Sequence, residues 1–280
     1  MAAIQPEGPL ISIITVCLNA ADYISQTIDS VLSQTYPNLE YIIIDGGSTD
    51  GTVDLIRRHE SRLAYWHSRP DRGLAHAFNL GLAQARGDWL LFLNADDLLL
   101  DAAAVEKMVP HLAARHWADV VFGDTILMSP QKEPQPLPLH RRRPRPWSWQ
   151  KMRFSGFFYT IPHQSAFTSR RYFARVGPFD ESFRVTVDYE HFLRGGKDLR
   201  AYYVPVAVSG MRAGGLAGRN LLRTFREIRR AQQKNQALPD ALAWASFYLM
   251  LGRYFVSRFG HLILDPLAAR ITWPGRVSGQ

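Results

Sequence analysis

The chain has 280 residues, a formal charge of +8, an apolar fraction of 46% and one cysteine. That length buries a full core, as one large domain or a domain with an appendage, and the lone Cys17 excludes a disulfide framework and is expected to be a buried, inert thiol. No basic segment followed by an apolar stretch opens the chain, and no apolar run reaches the ~18 residues of a spanning helix, so a cytoplasmic protein, at most peripheral at the inner face of a membrane, is expected.

Residues 11–16 read as a buried first strand. Asp22 stands where it would cap a helix carrying Ile24, Ile28, Val31 and Leu32 on one face, which Tyr36-Pro37-Asn38 breaks. Residues 41–44 form a second strand closed by Asp45-Gly46-Gly47, and residues 52–59 are helical. A third strand over 63–66, a helix over 74–85, a fourth strand over 89–93, a helix over 102–111 and a strand over 119–122 continue the alternation. It fades after Gly123. Residues 129–146, with six Pro and four Arg, read as a loop or irregular hairpin. Short helices over 170–175 and 187–193, a basic helix over 218–234 and an apolar one over 239–258 complete the chain.

Strands alternating with helices imply βαβ units and a mainly parallel, Rossmann-like α/β sheet with flanking helices. Ligands of such sheets bind at the carboxyl ends of the strands, and Asp45, Asp71 and Asp96 each lie just past a predicted strand. The sharpest feature is Asn94-Ala95-Asp96-Asp97. Two carboxylates and an amide after five apolar residues form a poorly solvated anionic corner, costly unless neutralised. A hard divalent cation, Mn2+ or Mg2+, held by one or two carboxylates and a ligand's phosphates, is its natural partner, with Asp96 and Asp97 as ligands. The alternative for Asp97 is a helix cap.

The order of motifs resembles the family 2 glycosyltransferases. The residues that carry it are 11–15 with Asn19, 30–38, and Asp45-Gly46-Gly47-Ser48-Thr49-Asp50-Gly51-Thr52. Asp71-Arg72-Gly73, Asn79-Leu80-Gly81, Gly87-Asp88-Trp89, Asn94 to Asp97, His163-Gln164, residues 176–181 and Asp188-Tyr189-Glu190 continue it. The resemblance implies a GT-A catalytic domain over 1–215, with a nucleotide-sugar half over about 9–125 and an acceptor half over 126–215, and a helical C-terminal extension over 216–280. It implies inverting transfer from a nucleoside-diphosphate-sugar, a uridine donor being favoured, to a hydroxyl of a glycan or lipid-linked acceptor.

Residue by residue, the resemblance puts a metal ligand at Asp96 and a ribose-side contact at Asn94, where an Asp is usual. Nucleotide contacts fall at Asp45 and Arg72, with backbone contacts along Thr15, Val16, Asn19 and Ala95. Gly46 replaces the second Asp of a commoner pair, which typically faces the nucleobase. Asp188 matches the position of the base that takes the acceptor's proton; an N-cap is its alternative role, and Glu190 is the fallback base. His163 is placed beside the sugar or metal, or in the core. Arg212, in a loop that closes over the site in relatives, is a diphosphate contact or a surface arginine. His76 stands where relatives are often acidic, with a helix-surface role as the alternative.

From Arg219 to the end there are ten Lys/Arg and three Asp/Glu, and residues 140–153 add five Arg and one Lys without an acid. The basic, apolar C-terminal helices suit an anionic membrane surface, a dimer partner or the catalytic domain itself, and leave oligomeric state open. The Pro-rich setting of Arg141 to Arg145 disfavours nucleic-acid recognition. A dinucleotide oxidoreductase shares the fold class but lacks support, since no G-x-G-x-x-G follows the first strand. The competing reading is a catalytically weak nucleotide- or glycan-binding scaffold, suggested by Gly46 and Asn94.

Overall fold

The computed structural model describes residues 8–141, 147–154 and 160–268. In chain order the elements are β1 (Ile11–Cys17), α1 (Ile24–Leu32), β2 (Leu39–Asp45), α2 (Thr52–Arg57), β3 (Tyr65–Ser68), α3 (Leu74–Gln84), β4 (Trp89–Asn94), β5 (Leu98–Leu99) and α4 (Ala104–Ala114). There follow β6 (Val120–Met128), β7 (Pro136–Arg141), α5 (Trp149–Phe154), β8 (Ala166–Ser169), α6 (Arg170–Val176), α7 (Val187–Arg194), β9 (Ala201–Arg212), α8 (Leu216–Arg219), α9 (Leu221–Lys234) and α10 (Asp240–Ala268).

One mixed sheet runs β3-β2-β1-β4-β8-β6-β9-β5, with β7 beside β6. Its first four strands are mutually parallel, as the alternation predicts. Successive strand residues point to opposite faces. Ile14, Ile42, Ile44 and Phe92 therefore join α3, α6 and α7 in one core layer, around Phe78 and Phe173. Ile13, Ile43, Leu91 and Leu93 meet α1 and α4 in the other, against Ile28 and Met108. Gly81 lets α3 lie directly on Ile14, which a Cβ there would strike. In register, Val16 stands opposite Asn94, Cys17 opposite Asp45, and Asp45 opposite Ser68. Those pairings gather the strand ends along one edge.

Several expectations are corrected. β3 starts two residues later than its apolar run, at Tyr65, because Glu60–Arg62 forms a 3-10 turn first. Asp22 does not cap α1: the cap position is Tyr23, without a side-chain bond, and Asp50 and Thr52 instead accept the N–H groups of Ala21 and Ala20. The sheet does not fade after Gly123. β6 runs on to Met128, pairs with β7 as a hairpin, and is flanked by β8 and β9. The predicted basic helix is split at Asn220, and the apolar one continues past Arg258 to Ala268.

The inner faces of the last two helices pack on the rest of the chain, with Phe225, Ile228, Ala231, Phe247 and Met250 in the same core layer as Phe92. Gln232 donates to the Arg153 carbonyl at 2.8 Å, and Arg153 to the Ala237 carbonyl at 3.2 Å. Arg142, Arg143, Arg145 and Arg270 lie outside the described residues. Among the described residues no helix is long and apolar enough to cross a membrane.

Candidate active site

β4 delivers Asn94 to the sheet edge, and a turn closed by the Asp97 N–H on the Asn94 carbonyl, 3.1 Å, carries the next three residues. Thr27 on α1 pins that turn, its hydroxyl lying 2.8 Å from the Ala95 carbonyl and 2.6 Å from that of Asp97. Asp97 is buried. It receives Asn94 Nδ2 at 3.1 Å, the Arg212 N–H at 3.3 Å and the side chain of Gln164, all without formal charge. Burial, then the charge of Asp96, push its carboxyl up to about 7, against the pull of His163 and those donors. The cap reading of Asp97 is wrong, since α4 starts only at Ala104 and β5 intervenes.

Asp96 is half-buried, and among the described residues no donor or cation is bonded to its carboxylate. One open carboxylate beside one buried, under-compensated carboxylate fits a hard divalent ion that completes its shell with water and phosphate. No cluster of three or more His, Cys, Asp or Glu side chains among the described residues would hold a metal alone. The donor set therefore fits an ion shared with a phosphorylated ligand, not a closed protein cage.

On the far side of Asn94 stands His163, its Nε2 3.1 Å from Asn94 Nδ2 and its Nδ1 3.0 Å from Asp188 Oδ2. The Asp188 carboxyl lies below its ordinary pKa: burial would raise it, and the hydrogen bond and charge of His163 outweigh that. An ionised carboxylate only accepts, so Nδ1 of His163 carries the hydrogen. His163 is in turn raised, burial opposing and Asp188, Asp97 and Asp96 prevailing. Asp188 is not the N-cap of α7; that position is Thr186. Four side chains, Asp97, Asn94, His163 and Asp188, thus form one hydrogen-bonded line from the strand edge to α7. Behind it Phe78, Phe92, Phe173 and Phe179 line a cavity that His163 and Asp188 also border.

The nucleotide-side expectations divide. Asp45 is fully buried and its carboxylate accepts from the N–H groups of Gly47 (3.0 Å) and Ser48 (2.9 Å), the hydroxyls of Ser68 and Ser48, and the Cys17 thiol. Those five donors fill the acceptor sites of a carboxylate. Burial would raise its pKa, and the serine and backbone bonds hold it below the ordinary value. Asp45 shapes the turn that follows β2. Cys17 is inert as expected, burial and then Asp45 raising its thiol far above the usual range. Thr15 and Val16 lie inside β1 between two parallel neighbours, where the ladder uses their backbone groups. The Thr15 hydroxyl is bonded to Tyr41.

Asn19 is on the edge, in the left-handed region at φ 50°, its N–H on the Ser48 hydroxyl (2.7 Å) and its Oδ1 on the Thr49 N–H (3.0 Å). Asn is among the few residues that tolerate this region. Beside it, Asp71 lies over Gly46: a Cβ on residue 46 would come within 2.6 Å of Asp71 Oδ2. Asp71 Oδ1 accepts the Gly73 N–H at 2.6 Å, while Oδ2 accepts no hydrogen bond among the described residues. The open carboxylate on this side is thus Asp71, whose side chain takes the space a residue-46 side chain would need.

Other candidates are placed elsewhere. Arg72 is exposed and bonded to Glu181 at 2.7 and 2.9 Å, and the Arg72 N–H lies 3.1 Å from His76 Nδ1. Glu190 is fully buried in a different cluster, 3.0 Å from Arg194 and 3.5 Å from Lys234, so the fallback base is not beside Asn94. Arg212 is neither surface nor loop. It ends β9, buried, with its guanidinium on the Gln131 carbonyl and Gln26 and over the Tyr23 ring. The sequence reading missed Glu227 of α9. Its buried carboxylate accepts the N–H groups of Arg184 (3.2 Å), Val185 (2.9 Å) and Thr186 (3.1 Å), the turn that launches α7 and Asp188.

Comparisons with known proteins identify the family and the fold. The family model "Glycosyl transferase family 2" matches residues 12–177. A "PGL/p-HBAD biosynthesis glycosyltransferase" of Mycobacterium bovis is 31% identical over 190 residues, 67% of this chain and 70% of that protein. The structure is similar to that of S. aureus TarS 1-349 in complex with UDP, with TM-score 0.64 and 17% identity over 91% of this chain and 74% of that one. It is also similar to the mannosyltransferase PcManGT of Pyrobaculum calidifontis in complex with GDP-Man and Mn2+, with TM-score 0.60 and 19% identity over 97% and 84%. The fold is of the GT-A type, and the chain belongs to glycosyl transferase family 2.

Proposed function

We propose that this protein transfers a sugar, with inversion, from a nucleoside-diphosphate-sugar to a hydroxyl acceptor, and that Asp188 is the base. The observation that carries this is the line Asp97–Asn94–His163–Asp188. It sets an open carboxylate corner suited to a metal diphosphate at one end and an ionised carboxylate at the other. Inversion requires that separation: the acceptor hydroxyl, losing its proton to the base, bonds to the anomeric carbon from the side opposite the one where the diphosphate leaves. Asp188 accepts the acceptor's proton, and His163, hydrogen-bonded to it, fixes its orientation.

Asp96 is the residue that would hold a divalent ion, with Asp97 behind it, and such an ion would supply charge to the departing diphosphate. Asn94, its two N–H groups turned to Asp97 and His163, has its Oδ1 to accept from a ribose or sugar hydroxyl. Asn19 and Asp71 border the nucleoside side. Solved structures of similar fold hold UDP and GDP-Man. A uridine donor is our first choice, and a lipid-linked glycan our acceptor class.

Thermal unfolding with uridine, guanosine and thymidine diphosphate-sugars, each with and without Mn2+, tests the donor reading. One nucleotide should raise the midpoint only when Mn2+ is present, and Asp96→Ala should remove that increment. An increment of the same size in Asp96→Ala rejects Asp96 as ligand.

A further inference from the structure

α10 is apolar on two opposite sides. Ala243, Ser246, Phe247 and Met250 form its buried stripe. On the other side Leu242, Trp244, Tyr248, Leu249, Phe255 and Val256 face solvent, Tyr248 at 62% and Val256 at 65% exposure. Between residues 241 and 256 there is no acid and a single base, Arg253. A surface helix ordinarily carries its polar residues on the outward face, and a contiguous apolar patch there marks an interaction site.

The neighbouring helix supplies charge. Arg223 and Arg226 of α9 are exposed and make no ion pair among the described residues. Arg229 lies over the Trp244 ring, 3.9 Å from its centroid, and joins the arginine edge to the apolar face. The acid of α9, Glu227, is buried and turned to the start of α7. Asp240, at the head of α10, is bonded to Gln233.

We propose that this surface, the outward face of α10 edged by the arginines of α9, docks on the anionic headgroup layer of a lipid bilayer. Tryptophan and tyrosine favour the boundary between headgroups and acyl chains, and arginine is drawn to anionic lipid. A second copy of the chain would bring the same arginines to residues 241–256, which include no acid to receive them. Lipid phosphates neutralise them. The contact lies along the surface, consistent with the absence of a membrane-crossing helix among the described residues.

Co-sedimentation of the full chain with vesicles of phosphatidylglycerol and phosphatidylcholine, or of phosphatidylcholine alone, tests this. Neither donor nor acceptor is added, so the result is independent of sugar transfer. Binding is expected to the anionic vesicles and to weaken with added salt. Arg223→Gln with Arg226→Gln should weaken it about 25-fold, roughly fivefold for each arginine. Tyr248→Ser with Leu249→Ser should weaken it about tenfold or more. Because all four positions are exposed, melting should be unchanged. The proposal is overturned by absent binding, by equal binding to neutral vesicles, or by either double variant binding as the parent does. A dimer in solution that the Tyr248 and Leu249 substitutions dissolve would assign the face to a second copy instead.

Discussion

His163 and Asp188, 25 positions apart in sequence, meet at 3.0 Å between Nδ1 and Oδ2, and the same imidazole touches Asn94 through Nε2 at 3.1 Å. The Asn94 amide gives one N–H to Asp97 and one to His163, which leaves Nε2 as acceptor and puts the imidazole hydrogen on Nδ1. Protonating Nε2 would require the amide to present its oxygen. His163 therefore reports the state of both ends of the site.

Replacing His163 separates orientation from proton transfer. His163→Ala should lower kcat by about 10–100-fold while the donor's Kd changes less than about threefold, since the base remains but loses its partner. Steady-state kinetics with calorimetry checks this. A large loss of donor affinity with unchanged kcat would place His163 on the donor instead.

The close approach of Asp71 to Gly46 predicts an incompatibility. Gly46→Asp puts a Cβ within 2.6 Å of Asp71 Oδ2 and a second carboxylate beside the first. The Asp71 carboxylate must then swing aside and the two neighbouring carboxylates repel, so donor affinity should fall about tenfold. Adding Asp71→Gly should restore part of that loss. A double-mutant cycle in calorimetry measures the coupling, and additive effects would show that the two positions do not share the space.

Glu227 ties the C-terminal helices to the turn that leads into α7. Glu227→Leu strips an acceptor from three backbone N–H groups before α7. It should reduce unfolding free energy by roughly 3 kcal/mol and lower kcat, with donor affinity preserved. Glu227→Gln, which keeps an oxygen, should recover part of both. Denaturation and kinetics on the pair would contradict the positioning role if kcat stayed at the parental value in Glu227→Leu.

Acid should destabilise the protein through His191. Burial and then Arg194 push this histidine down to about 3, against its contact with the Gly177 carbonyl and the charge of Asp188. Its ring stacks on Phe173. The unfolded chain takes up a proton near pH 6.5 that the folded chain refuses until about pH 3. The stabilisation is thus full above pH 6.5 and declines as pH falls through that window, by roughly 5 kcal/mol in all. Urea midpoints from pH 7 to pH 4 should show this slope in the parent and a shallower one in His191→Phe. Equal slopes would refute it.

β1, β2 and β4 were legible because each is a mostly apolar run ending at or shortly before Asn or Asp, β3 only in part because His67 and Ser68 follow its two aromatic residues, and the resemblance placed Asn94, Asp96, His163 and Asp188 along the same chain. The second half of the sheet was not. β8 is four residues long, and β9 contains Pro205 beside a register shift opposite residues 122–124, so neither has the pattern of a central strand. Asp45 looked like a ligand contact because its five donors come from three separate segments. Glu227 looked like one more charge on a basic helix, and only packing shows that it points inward to α7.

The central claim is that Asp188 is the base at the far end of the line from Asp97 and its neighbour Asp96. Asp188→Asn is nearly isosteric and still accepts one hydrogen bond, so the donor should bind calorimetrically as in the parent. Transfer should fall by about 100-fold or more, the usual contribution of a positioned base. The direct measurement is single-turnover transfer to an acceptor with donor saturating, on parent and Asp188→Asn. A rate within about threefold of the parent would contradict the account.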